Sequence, residues 1–232
     1  FKRVKGNLKR TSEANRFYDQ VCVILKEIDK LELINDNQPL RLVSSITIAN
    51  TELVNIINRF DDDLKISIVN ADEVVNMIKN QEGDIGIVEG AYSDEELISK
   101  TVGMIPLDFF SRKGKDMNIN TLEDLVEYEI LLREKGSSVR KAFDDLLFNY
   151  ALSYQARFES VNSEAILQIM QSSNKDYVSL LPRSLVDLKV FDIIKLNGIH
   201  LETPIQLVYR KDKSLSALEM KMISILKTIT YC

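Results

Sequence analysis

Apolar residues recur near the start of the chain at Ala14, Phe17, Val21, Ile24, Ile28 and Leu31, alternately three and four positions apart. That spacing is the a/d seam of a helix lying along a second helix, sustained for about two and a half heptads. Thr11 or Ser12 would cap it, and Glu13 would sit in its first turn, where a carboxylate suits the helix dipole. A lone helix of this length is marginal in water, so a partner is implied, from another subunit or from the body of the same chain.

After the polar break NDNQP (35–39), which reads as a linker, the period changes. Apolar and polar positions alternate from Leu40 to Val43; Ser44, Ser45, Ile46 and Thr47 then open an amphipathic helix carrying Leu53, Ile56, Ile57 and Phe60. LKISIV (64–69) is a second strand, ADEVVNMIKN (71–80) a helix facing inward through Val74, Val75 and Ile78, and GDIGIVEG (83–90) a third strand. Strands separated by helices predict βαβ units and a parallel sheet. Gly86, inside the third strand, marks close packing. Residues 91–103 read as a connection, MIPLDFFSRKG (104–114) as a strand with Pro106 at its start or on an edge, and TLEDL (121–125) as a short capped helix. EILLRE (129–134), YQARFES (154–160) and YVSLL (177–181) read as strands, with helices over 136–151 and 162–171. The middle of the chain therefore repeats the theme as a second α/β unit. A strand at 204–210 and a helix facing inward through Leu215, Leu218, Met222, Ile225 and Leu226 end the pattern. FKRVKGNLKR (1–10) reads as a small hairpin or wing around Gly6 and Asn7.

Composition narrows the class. The 232 residues can bury a full core in one domain or two, and no apolar run approaches the roughly 18 residues of a membrane span. With no signal-peptide pattern and two distant cysteines, Cys22 and Cys232, a cytoplasmic protein with free thiols is expected. The net charge of −5 argues against a surface coated for nucleic acid, yet Lys2, Arg3, Lys5, Lys9 and Arg10 crowd the first ten residues with no acid among them. That is the pattern of a DNA-contacting end joined to an acidic body, or of a solvated cluster of charge.

Two junctions carry the candidate chemistry. VSSIT (43–47) and EKGSSVR (134–140) each set consecutive serines between a strand and a helix, and Asn162 with Ser163 makes a third such mouth. Helix-terminal N–H groups and small hydroxyls hold anions, so two such ends facing across a cleft would suit a small acid or oxyanion. Arg133, at a strand end, and Arg140 are candidates for bidentate contact with it, although a surface pair with nearby acids accounts better for Arg140. Glu89 ends a strand beside the same cleft, where it would accept hydrogen bonds or hold a hinge, yet oppose a dianion. No catalytic residue, metal site or cofactor is expected: His200 is the only histidine, and neither GxxxxGK[ST] nor GxGxxG occurs.

As an ordered set, LRLVSSITIAN, GDIGIVEG, LLREKGSSVRKAF, NSEAILQIM and LVYRKDKSLS resemble the effector-binding portion of LysR-type transcriptional regulators. FKRVKGNLKRTSEANRFYDQVCVIL resembles that family's wing and linker helix, with Asn15 at the usual glycine. A second departure is Ser173-Asn174-Lys175-Asp176, where the family has a Gly-rich turn.

The resemblance implies an α/β fold of two Rossmann-like subdomains of periplasmic-binding-protein type behind a long linker helix. Its parts would be a wing remnant at 1–10, a dimerisation helix at 11–34, subdomain I at 40–91 with 204–232, and subdomain II at 92–203. The effector, a small anionic metabolite, would meet Ser44, Ser45, Thr47, Glu89, Arg133, Ser137, Ser138, Asn162 and Ser163. Phe17, Val21, Ile24 and Ile28 would join subunits into a homodimer or homotetramer. Promoter DNA would be bound by a winged helix-turn-helix preceding Phe1. The rival class is a stand-alone solute-binding protein, which the heptad helix and the absent signal sequence disfavour. A third class, an enzyme on the same fold, would need an acid, base or nucleophile in the cleft.

Overall fold

The computed structural model describes residues 2–4, 7–9, 11–32, 38–115 and 117–229. These fall into two compact units, Phe1–Pro39 and Leu40–Cys232.

In the first unit, β1 (Lys2–Val4) and β2 (Asn7–Lys9) pair antiparallel, Lys2 opposite Lys9, as the wing pattern predicts. Helix α1 (Ser12–Glu32) follows, and the Thr11 hydroxyl accepts a hydrogen bond from the Ala14 N–H at 3.2 Å, which closes its first turn. Phe17 and Ile24 of the heptad seam are 71% and 56% exposed, and Val21 is half-buried. The Ile28 side chain lies outside the described residues, as do linker positions 35–37.

The second unit begins with β3 (Leu40–Ser45), α2 (Ile46–Thr51), α3 (Leu53–Ile57), β4 (Leu64–Val69), α4 (Ala71–Lys79) and β5 (Ile85–Glu89). Strand β3 runs parallel to both β4 and β5, so the expected βαβ arrangement is present. It continues as β6 (Leu97–Arg112), α5 (Leu122–Val126), β7 (Glu129–Arg133), α6 (Ser138–Asn149), β8 (Phe158–Ser160), α7 (Ser163–Ser172) and β9 (Tyr177–Pro182). Strands β10 (Phe191–Ile194) and β11 (Leu201–Arg210) and helix α8 (Ala217–Thr228) complete it. Strand β7 runs parallel to β8 and β9, a second parallel set.

Two long antiparallel strands join the sets. Strand β11 pairs with β5 on one side and β6 on the other; β6 then carries its far end, from Leu107, between β9 and β10. The sheet order among the described residues is β4-β3-β5-β11-β6-β9-β7-β8, with β10 beside β6. The architecture is therefore the expected pair of α/β lobes, joined through strands that belong to both.

Three local expectations are corrected. The stretch 91–103 is not all connection, because β6 starts at Leu97, where the far-off residues 201–210 supply its hydrogen-bond partners. Pro106 accordingly lies inside a strand, close to where β11 gives way to β9 along β6 and a missing N–H costs least. The helix after β3 is two short ones. Strand β3 runs on through Ser45, and Thr51 bends its hydroxyl back to the Thr47 carbonyl at 3.0 Å, competing with the helical bond just before the break at Glu52. The strand expected over 154–160 shrinks to Phe158–Ser160, since Tyr154 is used elsewhere. Its hydroxyl accepts from the Ile130 N–H at 2.6 Å and its ring meets Phe143 edge-on at 6.1 Å.

Leu42, Ile85, Ile87, Ile205 and Leu207 share one buried cluster with Met222 and Leu226 of α8 and with Phe109, Ile130, Phe143 and Leu180. That cluster spans both parallel sets; Val43, Val74, Ile78, Val88 and Val208 form a second, and Phe110, Leu131, Ile166 and Leu181 a third.

Candidate functional site

The carboxyl ends of β3, β4, β5 and β7 and the amino ends of α2, α4 and α6 meet at one cleft, the place where open α/β sheets leave room for ligands. Its volume is about 740 Å³. One wall is the start of α4, Asn70 to Glu73. The other is the turn from Arg133 through Gly136 to Ser137, and Glu89 reaches it from β5. Gly136 takes φ +98°, a left-handed turn that lets β7 feed directly into α6; a Cβ there would lie 3.7 Å from Asp72 Oδ2 on the opposite wall.

Each helix entrance is capped by the residue type its sequence supplies. The Ser137 hydroxyl accepts from the Arg140 N–H at 3.1 Å, Asn162 Oδ1 from the Glu164 N–H at 2.8 Å and Asn70 Oδ1 from the Glu73 N–H at 2.8 Å. Ser45 caps α2 and also donates its hydroxyl to Glu89 Oε2.

Glu89 is the electrostatic centre of the site. It is 3% exposed, and no cation among the described residues comes within ion-pair distance of it. Burial pushes its carboxyl above the usual range, against the pull of Ser45, its own backbone N–H, Thr47 and the more distant Arg133 charge. The Thr47 oxygen lies close enough to favour the ionised form, yet reaches hydrogen-bond geometry with no group; the buried Ser138 hydroxyl is also without a partner. Ser138 comes close to the residue after Glu89, as a Cβ on Gly90 would lie 3.4 Å from its own.

Arg133 is 3% exposed and held from two sides. Its Nε and Nη2 donate to Glu134 at 2.9 and 3.1 Å, and its Nη1 to the Ser163 hydroxyl at 3.0 Å. This fixes the guanidinium and leaves two of its five N–H groups free of those bonds.

Of the nine expected contact residues, Glu89, Arg133 and Ser137 line the cleft. Ser45 and Thr47 stand behind Glu89, and Ser163 behind Arg133. Ser44 is turned inward, its hydroxyl donating to the Ser45 carbonyl at 3.1 Å, and Asn162 is an exposed helix cap. Arg140 pairs with acids as expected, with Asp144 at 2.9 Å and Glu159 at 2.7 Å, but it is buried rather than on the surface.

The sequence reading missed the wall contributed by α4. Its signal was present in SIVN-ADE, a strand running into an asparagine cap in the same way as the two serine junctions. With that wall included, the lining holds the acids Asp72, Glu73, Glu82, Glu89 and Glu134 against the bases Arg133 and Lys135. Among the described residues, no group of three or more His, Cys, Asp or Glu is placed to hold a metal ion. No described helix is long and apolar enough to cross a membrane.

Two α/β lobes enclosing a polar cleft at their strand ends define a binding fold for small molecules. The chain belongs to the LysR substrate binding domain family, which matches residues 35–229. YeiE of Escherichia coli strain K12, an uncharacterized HTH-type transcriptional regulator, is 29% identical over 175 residues, 72% of this chain and 60% of that protein. The chain thus spans about 60% of the length of the curated relative. The Synechocystis PCC6803 CcmR regulatory domain in complex with 2-PG has the same fold, with a TM-score of 0.72 at 20% identity over 83% of this chain and 97% of that one. So does the effector-binding domain of QuiR in complex with shikimate, at 0.71 and 13% over 82% and 96%.

Proposed function

We propose that this chain is the effector-sensing and oligomerisation portion of a cytoplasmic LysR-type DNA-binding transcriptional regulator. A small anionic metabolite would enter the cleft between subdomain I, residues 40–91 with 204–232, and subdomain II, residues 92–203. The observation that carries the reading is the meeting of Arg133 and the α6 entrance with Glu89 and the α4 entrance across one cleft. Family membership and the small molecules held by the similar CcmR and QuiR domains support it.

In this reading Arg133, held by Glu134 and Ser163, presents its remaining donors to the anion, and Ser137 and Ser138 offer hydroxyls at the start of a twelve-residue helix. Ser44, Ser45, Thr47, Asn162 and Ser163 complete the site, most of them by orienting the groups in contact. A ligand touching both lobes stabilises one relative setting of them and so biases a two-state element. Phe17, Val21, Ile24 and Ile28 of α1 would join the subunits and carry that setting to DNA-binding heads.

The test is a thermal-shift screen of the purified chain against metabolic acids and inorganic oxyanions, because a ligand that binds the native state raises its apparent stability. At least one acid is expected to raise the melting temperature, and Arg133→Gln is expected to weaken its binding about tenfold or more. A hit bound equally by wild type and Arg133→Gln places the ligand elsewhere and overturns the cleft assignment.

A further inference from the structure

A buried carboxylate at the mouth of an anion-binding cleft is a contradiction unless something neutralises it. Glu89 poses that contradiction: it is 3% exposed, it lines the cleft, and no cation among the described residues forms an ion pair with it. An isolated charge in such a place is costly, and the usual resolution is that the group takes up a proton.

We propose that Glu89 meets the effector as a neutral acid, donating its own O–H to the anion, so that above the midpoint of free Glu89 effector binding takes up one proton. This rests on the proposed anion site and supplies the specificity residue that site lacked.

The surroundings fit a proton-bearing group. Strand β3 and helix α2 bring only the hydroxyls of Ser45 and Thr47 to the carboxyl, and neither is charged. Strand β7 brings Arg133, whose charge acts from beyond contact distance and is shared with Glu134, and the turn after it brings Lys135 to the cleft. Helix α4 brings Asp72 and Glu73 to the same cleft, and the segment after β5 brings Tyr92, whose hydroxyl donates to Asp72 at 3.3 Å. Helix α6 brings the unpartnered Ser138 hydroxyl near Gly90, and β11 pairs Ile205 with Glu89. The acids around the cleft thus outnumber the bases, which also favours the protonated form. The raised titration of Glu89 by burial agrees with the same conclusion.

A neutral Glu89 also explains the selectivity such a cleft would have. With one carboxyl O–H and the remaining donors of Arg133, both lining the cleft, the site offers donors of two kinds to a single oxyanion or carboxylate. An ionised Glu89 would instead call for a cationic group on the ligand. The two alternatives differ in sign and can be separated.

Two measurements decide it. Carbon NMR of the glutamate side-chain carboxyls, assigned by comparing wild type with Glu89→Gln, should show Glu89 protonated well above the ordinary range near pH 4.3. Calorimetry with sulfate, pyruvate, benzoate and shikimate, which all remain ionised between about pH 6 and about pH 8, should give binding that weakens up to about tenfold per pH unit above the Glu89 midpoint. Glu89→Gln, a permanent neutral donor of similar shape, should bind as tightly as wild type at low pH and lose the pH dependence.

An anion whose affinity does not fall at pH values above the Glu89 midpoint found by NMR, yet depends on Arg133, overturns the proton uptake and leaves the cleft reading standing. Loss of binding in Glu89→Gln, together with preference for ammonium-bearing ligands such as amino acids over their deaminated counterparts, overturns the inference in favour of an ionised Glu89. Failure of every probe to bind at either pH, with Glu89 protonated, removes the anion site itself and the inference with it.

Discussion

At the scale of single residues, Asp84 and Gly86 show how much a few atoms decide. Burial alone would raise the Asp84 carboxyl, but hydrogen bonds from the Arg41 guanidinium, the Lys213 ammonium and the Arg41 N–H outweigh it and hold it at about 2, below its ordinary 3.8. Because the folded value is the lower one, the stabilisation is full above 3.8 and is lost as pH falls towards 2. Discounted for solvent screening at this half-open site, it amounts to about 1 kcal/mol. Urea denaturation at several pH values should therefore show Asp84→Asn less stable than wild type by about that amount near neutrality, with the difference vanishing in acid. Gly86 is the steric counterpart. A Cβ there would lie 2.5 Å from Val208, 2.9 Å from Val74 and 3.0 Å from Ile78, all on packed neighbours. Gly86→Ala is expected to lower stability by about 1–3 kcal/mol, read from the same urea midpoints. An unchanged midpoint would mean that β5 and α4 can separate freely, against the packing described.

At the scale of elements, what was legible in the sequence was local. The caps at Thr11, Thr121, Ser137 and Asn162 each depend on a side chain reaching a backbone N–H two or three residues away, a relation that sequence spacing records directly; those at Asn70 and Ser216 follow the same rule but went unread. Ser216 and Glu219 form a reciprocal capping box, and Glu219 is buried there beside Lys213. Parallel strands β3, β4, β5, β7 and β9 were legible for a related reason, since short alternating or apolar runs between amphipathic helices leave few alternatives. The pairing of β6 with β11 was not. It joins residues about a hundred positions apart, and polar residues such as Ser99, Lys100 and Thr101 hide the strand that a distant partner completes. The candidate site divides along the same line. Serine junctions announced themselves, whereas the isolation of Glu89 and the capture of Arg133 by Glu134 and Ser163 depend on contacts that no spacing encodes. For α4, whose start forms one wall of the cleft, Asn70→Ala should cost about 1 kcal/mol, and Asn70→Asp, which keeps the acceptor, should recover most of it. Equal stability of the two variants would mean that the Asn70 bond to Glu73 contributes nothing to the fold.

At the scale of the whole molecule, the most conspicuous unfinished surface is on α1. Phe17 and Ile24 follow the heptad spacing of the seam, yet both are mostly exposed in the single chain, as are Tyr18, Val23 and Leu25. Fully burying one such side chain is worth about 1.5–3 kcal/mol, so a seam of four leaves a large part of the helix's stabilisation to a partner. A charge placed in that seam would have to be desolvated on pairing or would prevent it. Phe17→Asp and Ile24→Asp are therefore expected to raise the dissociation constant for self-association by at least about tenfold, about 1.4 kcal/mol, in sedimentation velocity across a concentration series. Both positions are already exposed in the single chain, so the core formed by Leu40 onward should keep its melting temperature in the monomer. That separates loss of pairing from loss of fold. If the substituted chains sediment with the wild-type mass at every concentration, the α1 seam has no part in assembly. If they become monomeric and also cease to respond to an acid that stabilises the wild type, effector binding and pairing are linked, as a regulator that converts lobe closure into a change between subunits requires.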